Sequence, residues 1–203
     1  MRVAINGFGR IGRAVYRVIT QRGANIEIVA INDLTTEEME AYLLKWDTVM
    51  GEFPGDVTVV DGHLIAGGQR ARLLTEKDPA LLPWAELDVD VVIESTGAFR
   101  DREKVSKHLT AGAKRVILTV PPKGSLDATV VLGVNDAVLT SSARLVSNAS
   151  CTTNCLAPIA KVLDDAFGIK RGVMTTVHAY TNDQRLADVP HKDFRRSRAA
   201  TEN

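Results

Sequence analysis

The sequence is poor in cysteine, in net charge and in long apolar runs, and each shortage excludes a class of protein. Its 25 basic and 25 acidic residues balance, so no polybasic field points to nucleic acid or to a membrane surface. No apolar run approaches the ~20 residues that a membrane-spanning helix needs. A strand-like run begins at Arg2, which leaves no room for a cleavable leader. We therefore expect a globular, cytoplasmic protein of one large or two small domains.

The two cysteines, Cys151 and Cys155, are four residues apart. Within a helix this spacing puts both side chains on one face. A structural disulfide is not expected in an intracellular chain. A zinc site would need further ligands, and no second Cys or His pair lies nearby in the sequence, so we predict no metal. Cys155 is predicted to pack on the buried face of its helix.

The stretch Ser147-Asn148-Ala149-Ser150-Cys151-Thr152-Thr153-Asn154-Cys155 lies between an apolar run at 144–146 and an amphipathic segment at 156–167. A strand should end before it and a helix begin inside it. Ser150 is a suitable N-cap, which places Cys151 in the first helical turn. Unpaired N–H groups and the helix dipole favour a thiolate there, so Cys151 is a candidate nucleophile. The alternative is a small buried cysteine at a helix start.

A glycine-rich turn follows the first apolar strand. Residues 3–5 predict a strand, Gly7-Phe8-Gly9-Arg10-Ile11-Gly12 follows at once, and 10–21 carries apolar residues at helical spacing. Strand, glycine turn and helix are the context of a dinucleotide-binding fingerprint. The first glycine permits the tight turn, the second lets the backbone approach a pyrophosphate, and the third lets helix and strand pack closely. The phosphates then bind at the helix N-terminus.

The second half of this fingerprint is an acidic residue after the next strand. Residues 26–31 predict that strand, which ends at Asn32-Asp33. A carboxylate here accepts hydrogen bonds from a ribose 2′-hydroxyl and repels a 2′-phosphate, so Asp33 favours NAD over NADP. Alternatively, Asp33 caps a helix over 36–44. Together the two halves predict dinucleotide binding.

The rest of the first 150 residues alternates strands and helices. We predict hairpin strands near 57–60, 64–65 and 70–74, a turn or short helix at 79–86, a buried strand at 89–94, a helix at 101–111, and strands at 115–119, 128–133 and 145–147. This regular alternation predicts an α/β fold with a doubly wound, mostly parallel sheet. Ser95-Thr96-Gly97 closes a buried strand and should face the cofactor, because ligands bind at the carboxyl ends of parallel strands.

A histidine follows the last predicted strand, at 172–177. An imidazole beside a thiolate acts as its base and then as acid or base for a bound carbonyl, so His178 is the candidate partner of Cys151. The alternative is a structural histidine at a strand end.

The polar tail after His178 contains a cluster of basic residues, Lys192, Arg195, Arg196 and Arg198. Such a basic loop is either solvated surface or a binding site for phosphate groups.

Residue by residue, these features resemble the phosphorylating glyceraldehyde-3-phosphate dehydrogenase family. The matching runs are 6–13, 30–33, 94–97, 147–155 and 178–183. The resemblance implies a Rossmann-type dinucleotide-binding domain over 1–150 and the start of an α+β catalytic domain over 151–203. It implies a homotetramer acting on a sugar phosphate, inorganic phosphate and NAD. It also implies that Cys151 attacks an aldehyde, giving a thiohemiacetal and then a thioester that phosphate cleaves, with His178 as base.

The resemblance also implies roles for individual residues. The cofactor would be contacted by Arg10, Ile11, Asp33, Lys77 and Thr119, besides the glycines and the 95–97 turn. Phosphate groups would be bound by Ser150, Thr152, Thr181 and Arg198. Lys77 stands where arginine is more usual in the family, and Thr119 stands where serine is common. Pro190 resembles the NAD-preferring members, in agreement with the role predicted for Asp33.

Members of this family continue well past the arginine-rich loop, through most of a catalytic-domain sheet and a C-terminal helix. The chain is therefore expected to be either a fragment of a full enzyme or a short protein of low activity. Without the remaining sheet, a strand at 172–177 would expose its backbone and apolar faces. Other functions left open are a non-catalytic dinucleotide-binding module, a cysteine-based redox sensor and an enzyme like erythrose-4-phosphate dehydrogenase.

Overall fold

The computed structural model describes residues 1–202. The chain divides into two compact units, one covering Met1–Asp165 and the other beginning at Ala166. The boundary expected after residue 150 stays a prediction. Within residues 1–202, no helix is both long and apolar enough to cross a membrane.

Strands and helices alternate along the first unit, as the sequence predicts. In chain order they are β1 (Arg2–Asn6), α1 (Arg10–Gln21), β2 (Glu27–Asn32), α2 (Glu37–Lys45), β3 (Trp46–Asp47), β4 (Gly51–Glu52), β5 (Val57–Val60), β6 (His63–Ala66), β7 (Gln69–Leu74), β8 (Val91–Glu94), α3 (Arg102–Thr110), β9 (Arg115–Leu118), β10 (Ala128–Thr129), β11 (Leu145–Ser147) and α4 (Cys151–Phe167). Short 3₁₀ turns occur at Pro79–Leu81, Asp136–Val138 and Phe194–Ser197.

Nine strands form one sheet in the order β10-β11-β9-β8-β1-β2-β7-β6-β5. Every pairing from β10 to β7 is parallel, whereas β7, β6 and β5 are antiparallel neighbours. The predicted doubly wound, mostly parallel sheet is confirmed. The three strands expected as hairpin strands inserted into the alternation extend the same sheet, because β7 pairs with β2.

The sheet separates two apolar clusters. Ala4 belongs to the cluster around Trp84 and Val105, whereas its neighbour Ile5 belongs to the cluster around Tyr16. Successive side chains of a strand point to opposite faces, so adjacent residues of β1 contribute to different layers. All five side chains are fully buried. The carboxyl ends of the central strands are thereby fixed from both sides.

Two predictions about the region after residue 150 are wrong. The strand expected at 172–177 does not form, and Val173 and Val177 lie fully exposed. A strand needs a partner for its backbone groups, and none pairs with this segment within residues 1–202. Cys155 is exposed rather than buried, because no side chain of α4 is buried in this chain.

Candidate functional site

The glycine turn after β1 forms because two of its positions exclude a side chain. Gly7 has a φ of +92°, and a Cβ there would lie 2.6 Å from the backbone nitrogen of Thr96. A Cβ on Gly12 would overlap the carbonyl oxygen of Gly7. Gly9 has no atom within 4 Å of its Cβ position. The turn is therefore closed on its protein side and open where a pyrophosphate would approach.

The first turn of α1 offers its backbone donors to a ligand. Gly9 is the N-cap, no side chain caps the helix, and no acidic residue lies in its first turn. The unpaired N–H groups and the positive end of the helix dipole favour an anion. Arg13 is buried beneath the turn and donates to the carbonyl oxygen of Phe8 at 2.7 Å. Sequence reasoning missed this hydrogen bond, since an arginine on a helix is ordinarily exposed.

Asp33 is oriented by the glycine turn itself. Its Oδ2 accepts from the N–H of Phe8 at 2.6 Å, and its Oδ1 accepts from the N–H of Leu34 at 2.7 Å. Each carboxylate oxygen retains capacity for a second hydrogen bond, so the geometry fits a ribose hydroxyl. The alternative role as helix cap is wrong, because Thr36 caps α2 through the N–H of Met39.

Three predicted cofactor residues lie at the open edge of this region. Arg10, at the start of α1, forms an ion pair of 2.9 Å with the buried carboxylate of Asp47. Hydrogen bonds from the backbone of Met50 and then from Arg10 hold the pKa of Asp47 well below its usual range. Ile11 and Lys77 are exposed. The β3–β4 hairpin, which sequence reasoning missed, thus anchors Arg10.

The turn after β8 is fastened to the glycine turn. Ser95 donates its hydroxyl to the carbonyl oxygen of Gly7 at 2.6 Å. Thr96 donates both its N–H and its hydroxyl to Oε1 of Glu94. At the end of the neighbouring strand, Thr119 donates its N–H and hydroxyl to the carbonyl oxygen of Glu94 at 3.0 and 3.1 Å. Gly97 is exposed. The structure thus brings the predicted cofactor residues to one edge of the sheet.

The cysteine predicted as nucleophile is the first residue of α4. Ser150 accepts from the N–H of Thr153 at 3.0 Å, which confirms it as the N-cap. Cys151 is exposed, so the alternative of a buried cysteine is wrong. Ala149 has a φ of +64°, a conformation that L-residues seldom adopt outside tight turns. Thr152 is half-buried beside the cysteine.

Asn154 is a further residue of this turn that sequence reasoning did not single out. Its side-chain amide donates to the carbonyl oxygens of Asn148 and Ser150 at 2.7 and 2.9 Å. Both carbonyls precede Cys151, so the amide closes the turn around the cysteine. Asn at this spacing after an N-cap is the signal that would have predicted it.

The second unit holds the remaining predicted residues. His178 and Thr181 are exposed, and the Thr181 N–H donates to the Gln184 side chain at 3.0 Å. Arg198 lies 3.3 Å from the carboxylate of Asp188. Cys151 lies in the first unit and His178 in the second, so their pairing stays a prediction. Across residues 1–202, no group of three or more His, Cys, Asp or Glu side chains is arranged to hold a metal ion.

Comparisons with known proteins match both parts of the chain. Residues 1–102 match the family model described as "Glyceraldehyde 3-phosphate dehydrogenase, NAD binding domain", and residues 150–203 match the corresponding C-terminal domain. The glyceraldehyde-3-phosphate dehydrogenase of Thermotoga maritima is 57% identical over 203 residues, covering 100% of this chain and 61% of the relative. Those of Streptomyces coelicolor and Borreliella burgdorferi are 52% and 55% identical over 204 and 205 residues, covering 100% and 98% of this chain and 60% of each relative.

The chain therefore spans less than two thirds of the length of these relatives, as the resemblance implied. Its two matched segments follow the family's domain order, with the glycine turn in the first and Cys151 in the second. The chain belongs to the glyceraldehyde-3-phosphate dehydrogenase family, and its residues 1–102 are an NAD-binding domain of that family.

Proposed function

We propose that the protein containing this chain oxidises glyceraldehyde 3-phosphate, with NAD and inorganic phosphate, to an acyl phosphate. The observation that carries the proposal is the exposed Cys151 at the first residue of a capped helix, in a chain of this family. Helix N–H groups favour the thiolate there. The backbone donors beside it suit the oxyanion that forms when the sulfur attacks the aldehyde carbon.

Each residue then has a defined part in the reaction. The sulfur of Cys151 bonds to the aldehyde carbon and gives a thiohemiacetal, whose hydroxyl proton passes to His178. When bound, NAD supplies the acceptor for the hydride that leaves this carbon, so the carbon is oxidised to a thioester. A phosphate oxygen attacks the thioester carbonyl, the carbon–sulfur bond breaks, and Cys151 leaves as thiolate while the acyl phosphate departs.

The residues present fit NAD. The open space at Gly9 and the uncapped start of α1 suit a pyrophosphate, and Asp33 has acceptor capacity for a ribose hydroxyl. Ser95-Thr96-Gly97 and Thr119 follow parallel strands of the sheet, and Lys77, which follows β7, is exposed. The predicted 2′-phosphate repulsion by Asp33 makes NAD the preferred dinucleotide.

Phosphate groups of substrate and co-substrate are assigned to Ser150, Thr152, Thr181 and Arg198. Arg198 is held by Asp188, so binding a phosphate there requires that the guanidinium change partners.

We further propose the homotetramer that the resemblance implies. The native mass of the protein as the cell makes it, compared with its mass after denaturation, tests the number of subunits.

The activity is tested with the protein as the cell makes it. NADH formation from glyceraldehyde 3-phosphate, NAD and phosphate is expected, and omission of phosphate should stop it after about one turnover, since the thioester then has no acceptor. Absence of NADH formation would contradict the proposed reaction. NAD binding that persists without turnover would instead support a non-catalytic dinucleotide-binding module.

A further inference from the structure

Beneath the cofactor edge of the sheet lies a buried chain of five polar side chains, four of them fully buried and Asn32 4% exposed: Trp84, His108, Glu94, Asn6 and Asn32. The indole N–H of Trp84 donates to Nδ1 of His108 at 3.0 Å, and Nε2 of His108 lies 2.9 Å from Oε2 of Glu94. Asn6 donates to the same Oε2 at 2.5 Å. Asn32 donates to the amide oxygen of Asn6 at 2.7 Å.

The two ends of this buried chain of side chains fix which group donates and which accepts in each of its hydrogen bonds. An indole N–H can only donate, so Nδ1 of His108 accepts, and its proton sits on Nε2, which donates to Glu94. At the other end, the side chain of Asn32 exchanges hydrogen bonds with the backbone of Glu76, donating at 2.9 Å and accepting at 2.7 Å. This fixes the orientation of Asn32 and, through it, of the Asn6 amide.

The hydrogen bonds of this buried chain of side chains meet at Glu94. Oε2 accepts from His108 and Asn6, and Oε1 accepts from the N–H and the hydroxyl of Thr96. These four contacts use the hydrogen-bonding capacity of both carboxyl oxygens of Glu94. Glu94 is therefore a buried acidic side chain with hydrogen-bond partners on both oxygens, the condition under which a buried polar group is tolerated.

Glu94 and its hydrogen-bond partners hold several segments at the cofactor edge of the sheet. Thr96 is fixed by Glu94 and abuts Gly7, whose absent Cβ would lie 2.6 Å from its nitrogen. At the far end, Asn32 directly precedes Asp33, and Glu76 directly precedes Lys77. The buried chain thus connects the segments that follow four strands of the sheet.

We propose that His108 and Trp84 are positioning residues for the cofactor-binding turn at 95–97. Neither side chain reaches the surface, and both act through the carboxylate of Glu94. His108 supplies the Nε2–H that orients this carboxylate, and Trp84 selects the tautomer that carries it. The inference rests on the proposed use of the turn in NAD binding. The effect on the position of Thr96 can be measured without NAD.

The test compares two substitutions in α3. His108→Leu removes the donor to Glu94, whereas Val105→Ala, at another fully buried position of the same helix, creates a cavity but removes none of these hydrogen bonds. Two quantities are measured: hydrogen exchange of the Thr96 amide relative to that of Val116, and the dissociation constant for NAD. We expect His108→Leu to raise both about tenfold, the effect of leaving one buried acceptor without its hydrogen bond. Val105→Ala should lower the melting temperature but leave both near the unmodified value.

Two conservative variants sharpen the result. His108→Gln keeps an N–H donor toward Glu94 and should restore most of the protection of Thr96. Trp84→Phe keeps an aromatic ring but removes the indole N–H, together with part of the bicyclic ring, so the imidazole ¹⁵N spectrum should show mixed tautomers of His108. Equal changes in Thr96 exchange for His108→Leu and Val105→Ala would overturn the proposal, and so would a tautomer unchanged in Trp84→Phe. If the unmodified protein fails to bind NAD, the proposed function is rejected, while the exchange comparison still decides the positioning role.

Discussion

The N–H of Phe8 donates to Oδ2 of Asp33 at 2.6 Å. This bond joins the glycine turn to the carboxylate that is predicted to select the cofactor, although the two residues are 25 positions apart. The parallel pairing of β1 with β2 brings their carboxyl ends together, with Asn6 opposite Asn32. We therefore expect a change at Asp33 to affect both the binding of the ribose and the support of the turn.

The first prediction concerns cofactor choice. Asp33→Gly removes the charge that repels a 2′-phosphate, so the ratio of NADP to NAD affinity should rise at least about tenfold. Asp33→Asn is the matched control, because it removes the charge but keeps an acceptor for Phe8. It should relax the discrimination with less loss of stability. Fluorescence titrations with both dinucleotides measure the ratio, and an unchanged ratio in both variants would refute the role of Asp33.

The second prediction separates the two cysteines. Cys151→Ser should lower NADH formation by the whole protein at least about a thousandfold, because a hydroxyl is a far weaker nucleophile than a thiolate. NAD affinity should be retained. Cys155→Ser, one helical turn away and also exposed, should keep most of the activity. Steady-state rates of both variants decide the assignment, and a Cys151→Ser protein with normal turnover would be incompatible with it.

The third prediction separates the structural from the binding role of the glycines. Gly12→Ala forces a methyl group against the backbone of Gly7, and we expect a loss of about 1–3 kcal/mol in the free energy of unfolding. Gly9→Ala has open space and an ordinary φ of −69°, so its stability should change by less than about 0.5 kcal/mol. Its NAD affinity should nevertheless fall, because the methyl group occupies the approach of the pyrophosphate. Denaturant titration and NAD titration together check both variants, and a Gly9→Ala protein with unchanged affinity would argue against this site.

The fourth prediction concerns Glu40, a buried carboxyl group whose Oε2 has no hydrogen-bond partner. Burial, with the negative charges of Asp33 and Glu37, raises its pKa to about 8. Between pH 5 and 8 the folded protein keeps a proton that the unfolded chain has released, so this group makes stability fall as pH rises.

Glu40→Gln mimics the protonated carboxyl group and should remove that pH dependence. We expect the variant to match the unmodified protein near pH 5 and to exceed its stability by about 1–4 kcal/mol near pH 8. Glu38→Gln, at an exposed position of the same helix, serves as control and should leave the slope between pH 5 and 8 unchanged. The measurement is the free energy of unfolding from denaturant titrations across this pH range. A variant with the same slope as the unmodified protein would contradict a buried, protonated Glu40.

Local chemistry explains why much of the site could be predicted from the sequence. The run of glycines after β1 and the N-cap before Cys151 are set by neighbours in the chain, and α1 begins and ends where the pattern places it. The resemblance to a dehydrogenase family rests on the same short runs, and the family models confirm it. These features need only local sterics and local hydrogen bonds.

Contacts between distant segments decided the rest. The buried chain from Trp84 through Glu94 to Asn32 joins three strands, one helix and the turn that holds Trp84, and no local pattern distinguishes its polar residues from exposed ones. The exposed Cys155 and the unformed strand at 172–177 have the same origin, because a helix face or a strand is completed only by the segment that covers or pairs with it. The sequence by itself determined the glycine turn, the helix starts and the family, since short-range forces specify them. Only the tertiary structure decided which polar groups are buried and which apolar faces stay open, because both depend on partners far away in the chain.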